Sequence, residues 1–226
     1  MGKTKSLPFK WSDFFVPSDT ECLLACFAMS ARYWAEFFPE LKLAKDLDVW
    51  KEFANRSFVS YRGTYIKEFL RKIPKSNEVI EVNSEIKTNN LEEPTSQVVE
   101  FSELAIKTNT LEDLNSLVPF FRTKIIIPQI IFFNQLLMTH NINGPNHAVL
   151  LHSIDFEKEK LYVIDSTKHQ MQEPDVYDFH QFKRAWRDAY NLQIITYPKD
   201  MITLVSGPNV GITKQLYLNQ FTEKSK

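Results

Sequence analysis

The segment from Pro17 to Trp34, PSDTECLLACFAMSARYW, constrains the fold more than any other part of this sequence. Ser18 and Glu21 have the spacing of a capping box, and the proline before them blocks extension backwards, so a helix is predicted from Ser18 onward. Its apolar residues cover much of the helix circumference: Leu23, Leu24, Cys26, Phe27, Met29, Tyr33 and Trp34. A helix that is apolar nearly all round is usually central and buried. The sequence therefore predicts a domain built around this helix. Pro39 is expected to end the helix.

Other helices are predicted mainly in the first half of the chain. They cover LAKDLDVWKEFANR at 43–56 and 111–121 with Thr110 as its cap. In YRGTYIKEFLRKIP at 61–74, a turn marked by the glycine is followed by a short helix that ends at Pro74. A later helix is predicted over DFHQFKRAWRDAY, with Asp178 and Gln181 as a capping box and an apolar face. The residues of that face are Phe182, Ala185, Trp186 and Ala189.

The last hundred residues have the pattern of an antiparallel sheet. KIIIPQIIFF predicts a buried strand, with Pro128 near a bulge or a sheet edge. NHAVLLHSIDFEKEKLYVIDST predicts a hairpin around the charged turn EKEK, and LQIITYP predicts a further strand. Helices followed by an antiparallel sheet are typical of the α+β class. With 226 residues, we expect one domain over 1–226, a core over about 14–198, and an insertion at 76–110.

Composition excludes several functional classes. The net charge of −1 gives no general attraction for nucleic acid or an anionic membrane, and the chain lacks the glycine-rich loops that hold phosphates. The most apolar run, 125–138, falls short of the ~20 residues of a membrane helix. The N-terminus shows no apolar signal segment, and the chain has only two cysteines. We therefore expect a cytoplasmic protein with free thiols, no membrane span and no cofactor.

The two cysteines occupy different electrostatic positions on the predicted helix. Cys22 lies in the first turn, where the helix dipole and unpaired N–H groups favour a thiolate, the nucleophilic form of cysteine. Glu21 opposes this effect, because a nearby carboxylate disfavours a second negative charge. Cys26 lies one turn deeper in apolar surroundings. The pattern favours Cys22 as a candidate nucleophile and Cys26 as an inert core thiol.

A catalytic thiol needs a base, and the base needs a group that orients it. His147 opens the strand HAVLLHSID, and Asp165 ends the strand LYVID, so a hairpin would bring both to the same end. An aspartate there can hold the imidazole in the required tautomer. His152, five residues further, is expected on the other face of the sheet. The remaining histidines are predicted at the surface: His140, His169 and His180.

Other interpretations of these residues exist. Both cysteines could be core residues, since cysteine is among the most buried residue types. His147 could be a hydrogen-bonded histidine at a strand end, and Asp165 a turn cap. A disulfide one helical turn long is disfavoured, and a zinc site lacks two further ligands. We expect no metal.

Four motifs occur in order along the chain: ECLLACFAMSARYW, YRGTYIKEFLRKI, PQIIFFNQ with NHAVLLHSIDFEKEKLYVIDS, and DFHQFKRAW. Together they resemble the papain-like cysteine peptidases related to the leader-peptide-cleaving domain of bacteriocin exporters. The resemblance covers Phe14 to about Pro198, thinly through 76–110. It implies a papain-like fold in which Cys22 is the nucleophile, His147 the base and Asp165 the orienting acid.

The sequence departs from that family near the thiol. Family members usually carry a glutamine, which helps form the oxyanion hole, a few residues before the cysteine. Val16 occupies the position six before Cys22, and Ser18 or a backbone N–H is the candidate substitute. The expected function is a thiol hydrolase that cleaves a peptide or amide bond in a peptide or protein substrate. The alternatives are a weak or inactive peptide-binding module, or a related acyl transferase or deamidase. Residues 141–146 and 76–110 are the predicted groove walls.

Overall fold

A computed structural model of the chain describes residues 2–16, 21–56, 98–101, 104–138, 146–168, 172–189 and 191–198. These residues contain three α-helices and seven strands. The helices are α1 (Cys22–Phe37), α2 (Leu47–Arg56) and α3 (Phe179–Asp188). The strands are β1 (Val98–Phe101), β2 (Leu104–Thr110), β3 (Gln129–Asn134), β4 (Asn146–Asp155), β5 (Lys160–Ile164), β6 (Asp175–Asp178) and β7 (Leu192–Pro198). Short 3-10 helices cover Trp11–Asp13, Leu114–Phe121 and Gln135–Leu137.

The strands form one sheet in the order β1-β2-β7-β3-β4-β5-β6, and every pair of neighbours is antiparallel. Helix α1 packs on β4 and β7, and α3 packs on β3 and β6. The α+β prediction is therefore confirmed at the level of helices packed with an antiparallel sheet. The hairpin prediction is also confirmed: β4 and β5 pair across the turn 156–159.

Helix α1 is buried along most of its length, as its all-round apolar surface predicts. Two of its large side chains donate hydrogen bonds to backbone carbonyl groups, one in strand β7 and one in the segment that precedes β3. Trp34 Nε1 donates to the carbonyl of Thr196 at 2.7 Å, and Tyr33 Oη donates to the carbonyl of Ile126 at 2.8 Å. Because a buried donor without an acceptor costs about 1–3 kcal/mol, these bonds favour one seating of α1 on the sheet.

The predicted start of α1 at Ser18 is wrong. The helix begins at Cys22, and Glu21 occupies the N-cap position, where its side chain accepts no hydrogen bond from the first N–H groups of the helix. The predicted helix at 111–121 is also corrected: a 3-10 helix spans Leu114–Phe121. Asp113, not Thr110, caps it by accepting from two backbone N–H groups, and Thr110 ends β2.

Two smaller expectations change as well. Pro128 lies at neither an edge nor a bulge, because it directly precedes β3, which runs between β7 and β4. In α3, Asp178 caps the helix through the N–H of His180 at 2.9 Å, but Gln181 donates to the carbonyl of Met138 and so does not complete the capping box. The apolar face predicted for α3 is buried.

The predicted insertion at 76–110 ends in structure that belongs to the sheet. β1 pairs with β2, and β2 pairs with β7 over seven residue pairs. The hairpin therefore extends the sheet beyond β7. Residues 76–97 and the predicted turn and short helix within 61–74 lie outside the described residues, so the insertion and the single-domain boundary stay predictions.

Candidate active site

Cys22 is the first residue of α1, and its side chain is buried. The correction to the helix start moves this thiol closer to the N-terminal end than the capping-box pattern suggested. The first N–H groups of a helix have no intrahelical acceptor and point out of this end, together with the positive end of the dipole. This location favours the thiolate form of a cysteine.

His147 is placed by the pairing of β3 with β4. It lies opposite Phe133 in the register, and its side chain is 3% exposed. Its Nε2 lies 2.9 Å from Oδ1 of Asp165, the residue that follows β5. Because β4 and β5 pair as a hairpin, the chain folds back between these two residues, which are 18 positions apart. The structure therefore brings His147 and Asp165 together at the end of the hairpin away from its turn.

Asp165 is held by more than the histidine. Its Oδ1 also accepts from the backbone N–H of Thr167 at 3.0 Å and from Oγ1 of Thr167 at 2.7 Å. Oη of Tyr177 donates to Oδ2 at 3.4 Å. Burial alone would raise the pKa of Asp165, but the hydrogen bonds from His147 and Thr167 outweigh burial and lower the pKa to about 2. This carboxyl is therefore ionised at neutral pH.

The imidazole of His147 lies between two partners. Burial by itself lowers its pKa, but hydrogen bonds with Asp165 and Cys22, and the charges of both, outweigh burial and raise the pKa to about 10. Because Nε2 faces Asp165, Nδ1 is the ring nitrogen left for the sulfur of Cys22. The imidazole can thus carry a proton while both neighbours carry negative charge.

Aromatic rings cover the histidine and the aspartate. The ring of Phe133 meets the imidazole edge to face, with centroids 5.6 Å apart, and meets Tyr177 in the same manner at 5.7 Å. Phe182 of α3 lies 5.6 Å from Phe133 and stacks on Tyr177. These rings keep water from the hydrogen bonds, and electrostatic interactions are stronger where water is excluded.

Cys26 has a different environment, as its position in the sequence predicts. It is fully buried, and its Sγ donates to the carbonyl of Ala148 at 3.6 Å. Burial, and then the charges of Cys22 and Asp165, raise its pKa well above the ordinary value. Cys26 is therefore a protonated core thiol.

Two further sequence-predicted histidines fall among the described residues, and their recorded partners lie outside this site. His152 lies where the β4–β5 register shifts between Leu151 and Ser153, with its Nδ1 3.2 Å from Oγ of Ser153. Side chains alternate between the two faces of a regular strand, but the bulge interrupts this alternation after Leu151. The face on which the side chain of His152 lies therefore does not follow from its distance in sequence from His147. His180 is exposed, as predicted. Ser18, His140, His169 and the loop 141–145 lie outside the described residues.

Several groups at the site were missed by sequence reasoning. Thr167 carried a signal, because an aspartate often accepts hydrogen bonds from the residue two positions later. Tyr177 and Lys51 carried none, since β6 and α2 bring them to the site through tertiary packing. Nζ of Lys51 lies 3.2 Å from Oε2 of Glu21.

Within the described ranges, no group of three or more histidine, cysteine or carboxylate residues is arranged to hold a metal ion. Among the helices of the described residues, none has both the length and the apolarity that crossing a bilayer requires.

Comparisons with known proteins add little to this geometry. No protein-family model matches the chain, and no curated protein matches it. Among solved structures, the chain is similar to one from Bacillus anthracis described as a "putative C39-like peptidase", with 19% identity and a TM-score of 0.31. The likeness covers 41% of this chain and 50% of that chain.

Proposed function

We propose that this protein is a thiol hydrolase of papain-like type that cleaves a peptide or amide bond through an acyl-enzyme. In this proposal Cys22 is the nucleophile, His147 the base and Asp165 the acid that orients the base. One observation carries the proposal: a buried imidazole bonded to Asp165 at 2.9 Å and also hydrogen-bonded to the thiol of a helix N-terminus. Nucleophile, base and orienting acid in mutual contact are the signature of covalent catalysis.

The proposed reaction has two halves. The thiolate of Cys22 attacks the carbonyl carbon while His147 holds the proton that left the sulfur. When the tetrahedral intermediate collapses, the C–N bond breaks and His147 gives that proton to the leaving amine. In the second half, water attacks the thioester, His147 takes a proton from the water, and the C–S bond breaks. A carboxylic acid leaves, and the proton returns to the Cys22–His147 pair.

The oxyanion of the intermediate also needs donors. The backbone N–H of Cys22 is the candidate from the described residues, because it belongs to the first turn of α1. Ser18 stays a second candidate. Val16 has no hydrogen-bond donor in its side chain, and 48% of the residue is exposed. A missing oxyanion donor costs about 3–4 kcal/mol of transition-state stabilisation, so we expect slow turnover.

Alkylation with iodoacetamide tests the proposed nucleophile. Cys22 should react rapidly near pH 7, and His147→Ala should slow the reaction by roughly 10-fold or more, because the imidazolium stabilises the thiolate. Mass spectrometry locates the modified residue. Cys26→Ala is the matched control for the second thiol, and His152→Ala is the control for a histidine on the same strand. Neither should change the rate of Cys22.

Turnover is tested separately with a mixed peptide library and mass-spectrometric detection of products. Cleavage that Cys22→Ala and His147→Ala abolish supports the hydrolase. Release of ammonia without chain cleavage would indicate a deamidase, and products that carry an added amine would indicate an acyl transferase. If Cys22 reacts like an ordinary thiol and His147→Ala has no effect, the enzyme proposal is wrong.

One observation favours a second candidate function. Val16 stands where the resembled family has its oxyanion glutamine, so a peptide-binding module that retains the groove without turnover is the alternative. Such a module would bind library peptides equally well with and without Cys22→Ala. For both candidate functions, the peptide or protein that the site would take and the cytoplasmic location of the chain stay predictions.

A further inference from the structure

Glu21 poses an electrostatic problem for the thiol next to it. It directly precedes Cys22, and its side chain is only 11% exposed. A carboxylate beside a thiolate disfavours that thiolate, and low exposure reduces the screening of this repulsion by water and salt. A carboxylate in this position therefore needs an offset if Cys22 is to act as a nucleophile.

Lys51 supplies a positive charge at that place. Its Nζ lies 3.2 Å from Oε2 of Glu21 and 3.5 Å from Oδ1 of Asp48. The two partners differ in exposure, since the side chain of Asp48 is 93% exposed and that of Glu21 is 11% exposed. Solvent screens the pair with Asp48 far more strongly, so the pair with Glu21 is the stronger interaction.

The position of Lys51 follows from how α2 docks on α1. Trp50, the preceding residue, is fully buried, and its ring lies 4.9 Å from that of Phe27 in α1. Its Nε1 donates to the carbonyl of Ala44 at 2.8 Å. This anchor fixes the backbone next to Lys51, so the ammonium group reaches Glu21 from a rigid element.

We propose that Lys51 is a positioning residue for Cys22, which acts by holding the carboxylate of Glu21 and offsetting its charge beside the thiol. The inference rests on the proposed function for its importance to catalysis, but its electrostatic effect can be measured without turnover. Among the residues that the structure describes, the other titratable groups with an electrostatic effect at the two thiols are His147 from β4, Asp165 after β5, and Cys26 in α1. None of these is altered in the variants below.

The test is a pH titration of the Cys22 thiolate by its ultraviolet absorbance, in a Cys26→Ala background where it is the sole thiol. Lys51→Met should raise the midpoint of thiolate formation by about one pH unit and slow alkylation at pH 7 up to ~10-fold. Lys51→Arg should retain the original midpoint, because it keeps the charge. Adding Glu21→Gln to Lys51→Met should bring the midpoint back, since the unpaired carboxylate is gone.

Two further variants guard against a purely structural effect. Asp48→Asn is the matched control: it removes the other carboxylate near Lys51 and should leave the midpoint unchanged. Glu21→Gln alone should lower the midpoint of thiolate formation. This measurement does not depend on whether Lys51→Met folds. An unchanged midpoint in a folded Lys51→Met overturns the inference, and so does an unchanged midpoint in Glu21→Gln. The proposed function fails on different evidence, namely a Cys22 that is indifferent to His147→Ala.

Discussion

Strand β4 carries two histidines, His147 near its start and His152 past its middle, and their electrostatic environments are opposite. Burial favours the neutral imidazole of both and by itself lowers the pKa of each. At His147, hydrogen bonds and charges from Asp165 and Cys22 outweigh burial and raise the pKa. At His152, the charge of Lys3 adds to burial, and the pKa is lowered.

This difference shows that hydrogen-bonding and charged partners can outweigh burial in setting the pKa of a histidine on this strand. His147 is the more deeply buried of the two, yet it is the one that holds its proton. The segment that brings Lys3 to His152 is itself fixed on β4: the N–H of Thr4 donates to the carbonyl of Ile154, and that of Leu7 to the carbonyl of His152. Substitutions of the partners of either histidine test this difference.

The largest effect is expected from Asp165→Asn. This change removes the negative partner of a buried imidazole, so the pKa of His147 should fall towards or below its ordinary value of 6.5. Loss of one partner from a buried pair costs about 3–5 kcal/mol of unfolding free energy. Histidine NMR titration and urea unfolding measure the two quantities.

Asp155→Asn is the matched control for this change, because Asp155 is a buried carboxylate at the turn end of the same hairpin. It should leave the titration of His147 unchanged. A His147 pKa that stays high in Asp165→Asn would show that Cys22 alone sets it.

The stability difference between the wild type and Asp165→Asn should depend on pH in a defined way. The raised pKa of His147 contributes stability that is present below pH 6.5 and lost as pH rises through about 10. The lowered pKa of Asp165 contributes stability that is present above pH 3.8 and lost as pH falls through about 2. The difference should therefore be largest between about pH 4 and 6.5. Urea unfolding across pH 3–10 checks this, and a flat profile would contradict the ion pair.

Smaller effects are expected from the groups that orient Asp165. Thr167→Val removes the donor at 2.7 Å and should cost about 1.5–3 kcal/mol, because that hydrogen bond goes to a charged acceptor. Tyr177→Phe removes the longer bond at 3.4 Å but keeps the ring, and should cost less than about 1 kcal/mol. Urea unfolding of both variants measures the difference. Equal costs would contradict the expectation that the shorter hydrogen bond contributes more to stability.

The smallest effect is expected at the other histidine. Lys3→Met should raise the pKa of His152 by a few tenths of a unit, since the exposed ammonium is largely screened by solvent. NMR titration measures the shift, and Lys5→Met is the matched control. The shift should shrink as salt is added, and a shift independent of salt would mean that Lys3 acts by packing instead.

The sequence predicted the parts of this site that depend on local patterns. The helix with apolar residues on all sides and the hairpin each depend on residues that are close together in the chain. The positions of Cys22, His147 and Asp165 in these elements could therefore be inferred from the sequence. The start of α1 could not, because the capping-box spacing of Ser18 and Glu21 offers a local alternative. Glu21 instead pairs with Lys51, a contact that exists only after α2 docks.

Other features lay beyond the reach of pattern reasoning for a similar reason. The bulge at His152 depends on how β4 pairs with β5, and alternation along one strand does not contain that information. Tyr177 reaches Asp165 only because β6 adds to the edge of β5. The seven residue pairs of β2 with β7 join segments far apart in the chain, which no local signal predicts.

The docking of α1 on β4 also has a consequence in time. Cys26 and Ala148 are in contact although they are 122 positions apart in sequence. A ribosome adds about 5–20 residues per second, so the thiols of α1 exist for roughly ten seconds before their strand is made. During this interval Cys22 has neither imidazole nor aspartate beside it. The nascent chain therefore carries two ordinary thiols, and the site forms only when the last strands close the sheet.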